Sequence, residues 1–208
     1  MSDASDRPRP PDELLDEWAP IGFVPALELQ QWVTSTFLDE TSPLFNEDHQ
    51  HFLGASLGFL WTNAANARHG RRIIGQAEFK PPGGTMGKWQ RARAQAQLRG
   101  WFGTNDLDFL ITIDAQYAAE CSDEAFCALV EHELYHCGQE QDEFGVPKFK
   151  GDSGMPVFCM RGHDIEEFVG VVRRYGAVTA DVQALVEAAS RSPSIDIEAI
   201  GKACGSCG

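Results

Sequence analysis

The segment Ser122 to His136, SDEAFCALVEHELYH, constrains the fold more than any other stretch of the chain. Ser122 is a suitable N-cap, and Asp123 and Glu124 put negative charge in the first turn, where the helix dipole favours it. At about 100° per residue, Phe126, Cys127, Val130, Leu134 and Cys137 gather on one side. Such a side is stable only against a core. His132 and His136, four residues apart, stack on a second face above Leu129 and Ala125, while Glu124, Glu131 and Tyr135 form the more polar remainder. The nearest partner layer is Asp108 to Asp114, DFLITID, a short apolar run with a β-branched centre that predicts a strand.

Around that pair the chain reads as an α+β domain with a small sheet packed against several helices. Residues 1–20 are acidic and proline-rich, which predicts a disordered tail. Residues 21–195 read as one domain, and 196–208 as a helix end and a flexible tail. Leu27, Trp32, Phe37 and Leu38 predict a first helix. Ser42-Pro43 opens a second, expected to run towards Trp61 with Phe52, Leu53, Leu57 and Leu60 inward. Arg71 to Phe79 predicts a strand ended by Pro81-Pro82-Gly83-Gly84, Lys88 to Leu98 a helix, and Met155 to Met160 a short strand. Helices are expected at about 164–175, 180–189 and 195–203.

The chemistry is concentrated on the helix of His132. Imidazoles at i and i+4 can both reach one tetrahedral ion, and Glu133 beside them is free to take a proton from water held there. This is the ligand pattern of a single zinc ion that activates water for hydrolysis of a protein or peptide substrate. A site that keeps one position open needs a third protein ligand. Gly162-His163-Asp164-Ile-Glu-Glu-Phe168 offers one. Asp164 reads as an N-cap and Glu167 as its capping-box partner, which sets His163 just before a helix with its ring free to turn back. Glu166 is the rival ligand, and Glu167 ranks below it because it has a structural role available. Tyr135 and Tyr175 are candidate hydrogen-bond donors to an oxyanion, with packing the competing role for Tyr175. His49 and His51, two residues apart, face different directions and read as polar residues of the surface or its margin rather than ligands.

Charge narrows the partners. With 17 basic and 31 acidic residues the net charge is −14, which repels phosphate backbones and makes nucleic acid a poor partner. The basic stretch from Arg68 to Arg99 reads as a solvated helix and loop that balance an acidic fold. No apolar run approaches the ~20 residues that cross a bilayer, and the N-terminus lacks the basic start and apolar stretch of a signal peptide. An intracellular protein, with virion association as an option, is therefore expected. Cys121, Cys127, Cys137 and Cys159 form no disulfide framework and read as buried thiols. Cys204-Gly-Ser-Cys207 reads as a flexible tail with two thiols.

The strand DFLITID, the helix ALVEHELYHC and the segment GHDIEEF followed by VVRRYG resemble the phage metallopeptidases, which are related to the SprT-like or Spartan group of zincins. The resemblance spans about 108–176. It implies a zincin-like fold and zinc held by His132, His136 and His163, with Glu133 as catalytic acid and base. Spartan-type proteins act on DNA-crosslinked proteins through basic regions; this acidic chain has no such module, so that role does not carry over. The alternative to a peptidase is a non-catalytic, zinc-containing virion or host-interaction protein that keeps the fold.

Overall fold

The computed structural model describes residues 6–205. The chain enters the sheet at Phe23–Pro25 (β1) and continues into the helix Leu27–Val33 (α1), which widens into a π turn over Thr34–Leu38. A 3-10 turn, Glu47–Phe52, precedes Leu57–Thr62 (β2). A small hairpin, Ala67–Arg68 (β3) with Arg71–Arg72 (β4), leads to Gly75–Phe79 (β5) and the helix Lys88–Phe102 (α2). Then come Phe109–Asp114 (β6), Ala115–Glu120 (α3) and Asp123–His136 (α4). Cys137–Gln139 (β7) and Phe158–Met160 (β8) form a second hairpin. Val169–Tyr175 (α5), Ala180–Ser190 (α6) and Ile197–Cys204 (α7) complete the described chain.

The main sheet has the order β1-β2-β6-β5. Strands β2 and β6 run parallel with Leu57 opposite Phe109, while β1 and β5 are antiparallel edges. Parallel strands at a sheet centre are covered on both faces and so read as continuous apolar runs. Phe59, Trp61, Phe109, Ile111 and Ile113 turn to the face that receives α4, with Trp32, Phe37, Phe126, Val130 and Leu134 in the same core. Leu60 and Leu110 turn to the other face and meet Leu98 and Leu107 under α2. Gly58 lets that second layer close, since a Cβ there would lie 2.8 Å from Leu107 Cδ1.

Several expectations are corrected. The helix expected to run from Ser42 towards Trp61 is replaced by the 3-10 turn and β2, because Gly54 at φ +107° breaks it and all six residues of Leu57–Thr62 are buried in the sheet. Residues 6–20 are not a loose tail. Arg7 is 3% exposed and donates to Asp123 Oδ1 at 2.8 Å and to the Ala118 carbonyl at 2.6 Å, with its guanidinium 4.4 Å from the Phe126 ring centre. At the other end, α7 packs on α4. Its Ala203 carbonyl accepts from Trp32 Nε1 at 2.8 Å, and Cys204 lies buried 3.7 Å from Cys127 in Sγ–Sγ distance. Cys207 lies outside the described residues.

Candidate metal centre

Helix α4 begins as its sequence dictates, with the Ser122 hydroxyl accepting from the Ala125 amide. Phe126, Cys127, Leu129, Val130 and Leu134 are buried on its inner side. That burial fixes its rotation. His132 is left exposed and His136 half-buried, one turn apart, with ring centroids 4.9 Å from each other.

The third histidine arrives by strand pairing. In the hairpin of β7 and β8, Cys137 lies opposite Met160, so the next residue, Arg161, falls beside His136. Its amide donates to the His136 carbonyl at 2.8 Å, and its own carbonyl lies 2.8 Å from His136 Nδ1. Two residues later His163 meets both rings: its centroid is 4.6 Å from that of His136 and 5.1 Å from that of His132. Ligand atoms from His132, His136 and His163 all lie within 4.8 Å of one another. The structure thus brings together the two helix histidines and His163, and leaves Glu166 and Glu167 out of the cluster.

The donor set fits a tetrahedral divalent ion. Two nitrogens bound at ~2.0–2.1 Å to such an ion stand about 3.3 Å apart; His163 Nε2 and His132 Nε2 are 3.2 Å apart. A carbonyl at His136 Nδ1 holds the proton there and leaves Nε2 with its lone pair, the usual second contact of a metal-binding imidazole. Burial, and then the neighbouring rings of His136 and His163, push His132 below the ordinary histidine range, towards the neutral form that a metal requires.

Glu133, between the two histidines in sequence, is 3% exposed against the sheet edge at Gly75. Burial raises its carboxyl above the usual range, opposed by the neighbouring His136 ring and by a hydrogen bond from the Ala77 backbone. Gly75 on β5 makes the space: a Cβ there would meet Glu133 Oε1 at 2.5 Å. A carboxylate held this way is a strong proton acceptor beside the cluster.

Other candidates fall elsewhere. Tyr135 lines the cavity of about 180 Å³ that contains the three histidines. Its hydroxyl, however, is engaged, donating to Asp48 Oδ2 at 2.8 Å and accepting from Asn46 Nδ2 at 3.0 Å. Tyr175 is 63% exposed on α5 and does not line that cavity. The capping box expected at Asp164 does not form. Asp164 accepts from Arg161 at 2.6 Å, Glu167 accepts from the Phe168 amide, and the helix starts only at Val169. His163 therefore sits in a loop, yet reaches the cluster. His49 is 1% exposed rather than superficial, and His51 Nε2 lies 2.7 Å from the Cys137 carbonyl, holding the end of α4. In the basic stretch, Arg72 clasps Asp114 at 2.9 and 2.8 Å. The residue that sequence reading missed is Arg161. Its signal was positional, three residues after the buried Phe158 and two before His163, and it required knowing how β8 pairs.

A family model described as "Putative phage metallopeptidase" matches residues 30–190. No curated protein and no solved structure matches the chain. Among the described residues, no helix is long and apolar enough to cross a membrane.

Proposed function

The chain belongs to the phage metallopeptidase family, and from that premise we propose that it is a zinc peptidase whose ion is held by His132, His136 and His163. The convergence of three imidazoles within 4.8 Å carries this reading. Three neutral nitrogen ligands suit zinc, and three rather than four protein ligands match a catalytic rather than a structural site. When bound, the ion supplies Lewis acidity towards a carbonyl and lowers the pKa of water at the site to ~7.

The chain's own groups do the rest. The Arg161 carbonyl orients His136. Glu133 accepts the proton of the attacking water at its carboxylate and returns it to the departing amine. Its raised affinity for a proton suits that exchange. The substrate is a polypeptide.

The test is metal analysis of the purified protein together with digestion of a broad protein mixture by wild type and Glu133→Gln. Stoichiometric zinc in both, with cleavage by wild type reduced at least ~10²-fold in the variant, is expected. Zinc in both with equal, background cleavage would instead leave a non-catalytic zinc protein.

A further inference from the structure

A second cavity, of about 1100 Å³, adjoins the metal site; Tyr135 and Arg161 line both. It runs between the 3-10 turn Glu47–Phe52 and the extended chain of residues 137–161. Its margins hold large apolar side chains left in solvent: Leu53 is 70% exposed, Phe149 59% and Met160 42%. Exposed apolar surface of this kind, bordering a site, marks a binding face.

The polar groups of this groove are lopsided. Glu47, Asp48 and Glu140 line it with carboxylates. Arg161 stands at the metal end and is held by Asp164 at 2.6 Å. Glu140 is joined by Lys148 only at 3.4 Å. His49 also lines the groove although its side chain is 1% exposed, and neither of its ring nitrogens has a hydrogen-bond partner. The nearest charged atom is Glu131 Oε1, 3.7 Å from His49 Nε2. An unsatisfied buried polar group costs free energy that an incoming partner recovers. Acceptors thus outnumber donors here, next to apolar walls.

We propose that this groove seats the polypeptide substrate on one side of the bond to be cleaved and selects a cationic side chain, arginine or lysine, at Glu47, Asp48 and His49. The ammonium or guanidinium donates to the carboxylates and to a ring nitrogen of His49 that has no other hydrogen-bond partner, and flanking apolar residues rest on Leu53, Phe149 and Met160. The selection rests on the peptidase reading above, but it is a statement about binding and can be measured without turnover.

The experiment uses the full chain carrying Glu133→Gln and three fluorescein-labelled decapeptides of the same apolar sequence, with Arg, Gln or Glu at one central position. Fluorescence anisotropy at low and high salt reads their affinities. The Arg peptide is expected to bind about tenfold tighter than the Gln peptide, the size of two partly shielded ion pairs, with the Glu peptide weakest and the differences shrinking in salt. Adding Glu47→Gln and Asp48→Asn should bring the Arg and Gln peptides within about twofold. His49→Phe, which keeps the ring's bulk, should weaken the Arg peptide most. Equal binding of the three peptides, or a preference that survives the charge-neutral variant, overturns the proposal. The wild-type protein with the same peptides separates the two ideas. Selective binding without cleavage supports the groove and removes the peptidase, whereas cleavage blind to the central residue removes the groove's selectivity and keeps the peptidase.

Discussion

Gly75→Ala gives a sharp perturbation because it touches Glu133 and none of the three histidines. The added Cβ would lie 2.5 Å from Glu133 Oε1, 2.9 Å from Leu129 Cδ1 and 3.0 Å from Glu133 Cδ, where ordinary contact begins at 3.4 Å. The carboxylate must therefore retreat by about 1 Å, or β5 must move outward by a similar distance. Extra volume in a packed site costs about 1–3 kcal/mol, and about 2–4 °C of thermal midpoint accompanies each kcal/mol in a chain of this length. The catalytic effect should be larger than the structural one, since a misplacement of about 1 Å costs roughly 10²-fold in rate. The assay compares wild type and variant for zinc per chain, thermal midpoint and initial rate on one protein substrate. The expected result is unchanged zinc, a modestly lower midpoint and a rate down by roughly 10²-fold. A folded, zinc-loaded Gly75→Ala protein with wild-type rate would refute the placement of Glu133 as the proton acceptor.

Two further outcomes concern the fold. Glu78 on β5 is raised above its ordinary value of 4.5 by burial, so the folded state holds its proton more tightly than the unfolded chain. Its contribution is fully present below pH 4.5 and is lost as pH rises through the folded value. Glu78→Gln should therefore raise the thermal midpoint at pH 7 and leave it unchanged below pH 4.5; a gain of equal size at both pH values would contradict this. Arg7→Met keeps apolar cover over Phe126 but leaves Asp123 and the Ala118 and Cys121 carbonyls without their donor. A loss of about 3 kcal/mol is expected in denaturant unfolding, and a loss under about 0.5 kcal/mol, as at ordinary surface sites, would mean that the N-terminal segment is not docked.

The parts of the structure legible in the sequence are those where one local rule decides. In α4 the 3.6-residue spacing of Phe126, Val130 and Leu134, together with the Ser122 cap, leaves no competing reading. The run Phe109–Asp114 reads as a buried strand through its β-branched Ile111, Thr112 and Ile113. Leu57–Thr62 is as apolar, but it lacks alternation because both faces of the sheet are covered there, and a short unbroken run does not distinguish strand from helix. The docking of Arg7 is invisible to composition, since it depends on carbonyls at the end of α3 and a carboxylate at the start of α4, more than a hundred residues away. At the site, His132 and His136 follow from spacing alone. His163 was reached through a capping box that does not form; what brings it in is the pairing of Cys137 with Met160. Tyr135 was legible as an exposed residue next to the ligands, but its tie to Asp48 and Asn46 comes from a 3-10 turn that the sequence presented as part of a helix.

The most direct measurement is zinc stoichiometry with X-ray absorption on wild type, His163→Ala and Glu166→Gln. Wild type and Glu166→Gln should each hold one zinc per chain with three nitrogen ligands at about 2.0–2.1 Å, and His163→Ala should lose the ion on dialysis. Full zinc with unaltered coordination in His163→Ala, or no zinc in wild type, would contradict a site built from His132, His136 and His163.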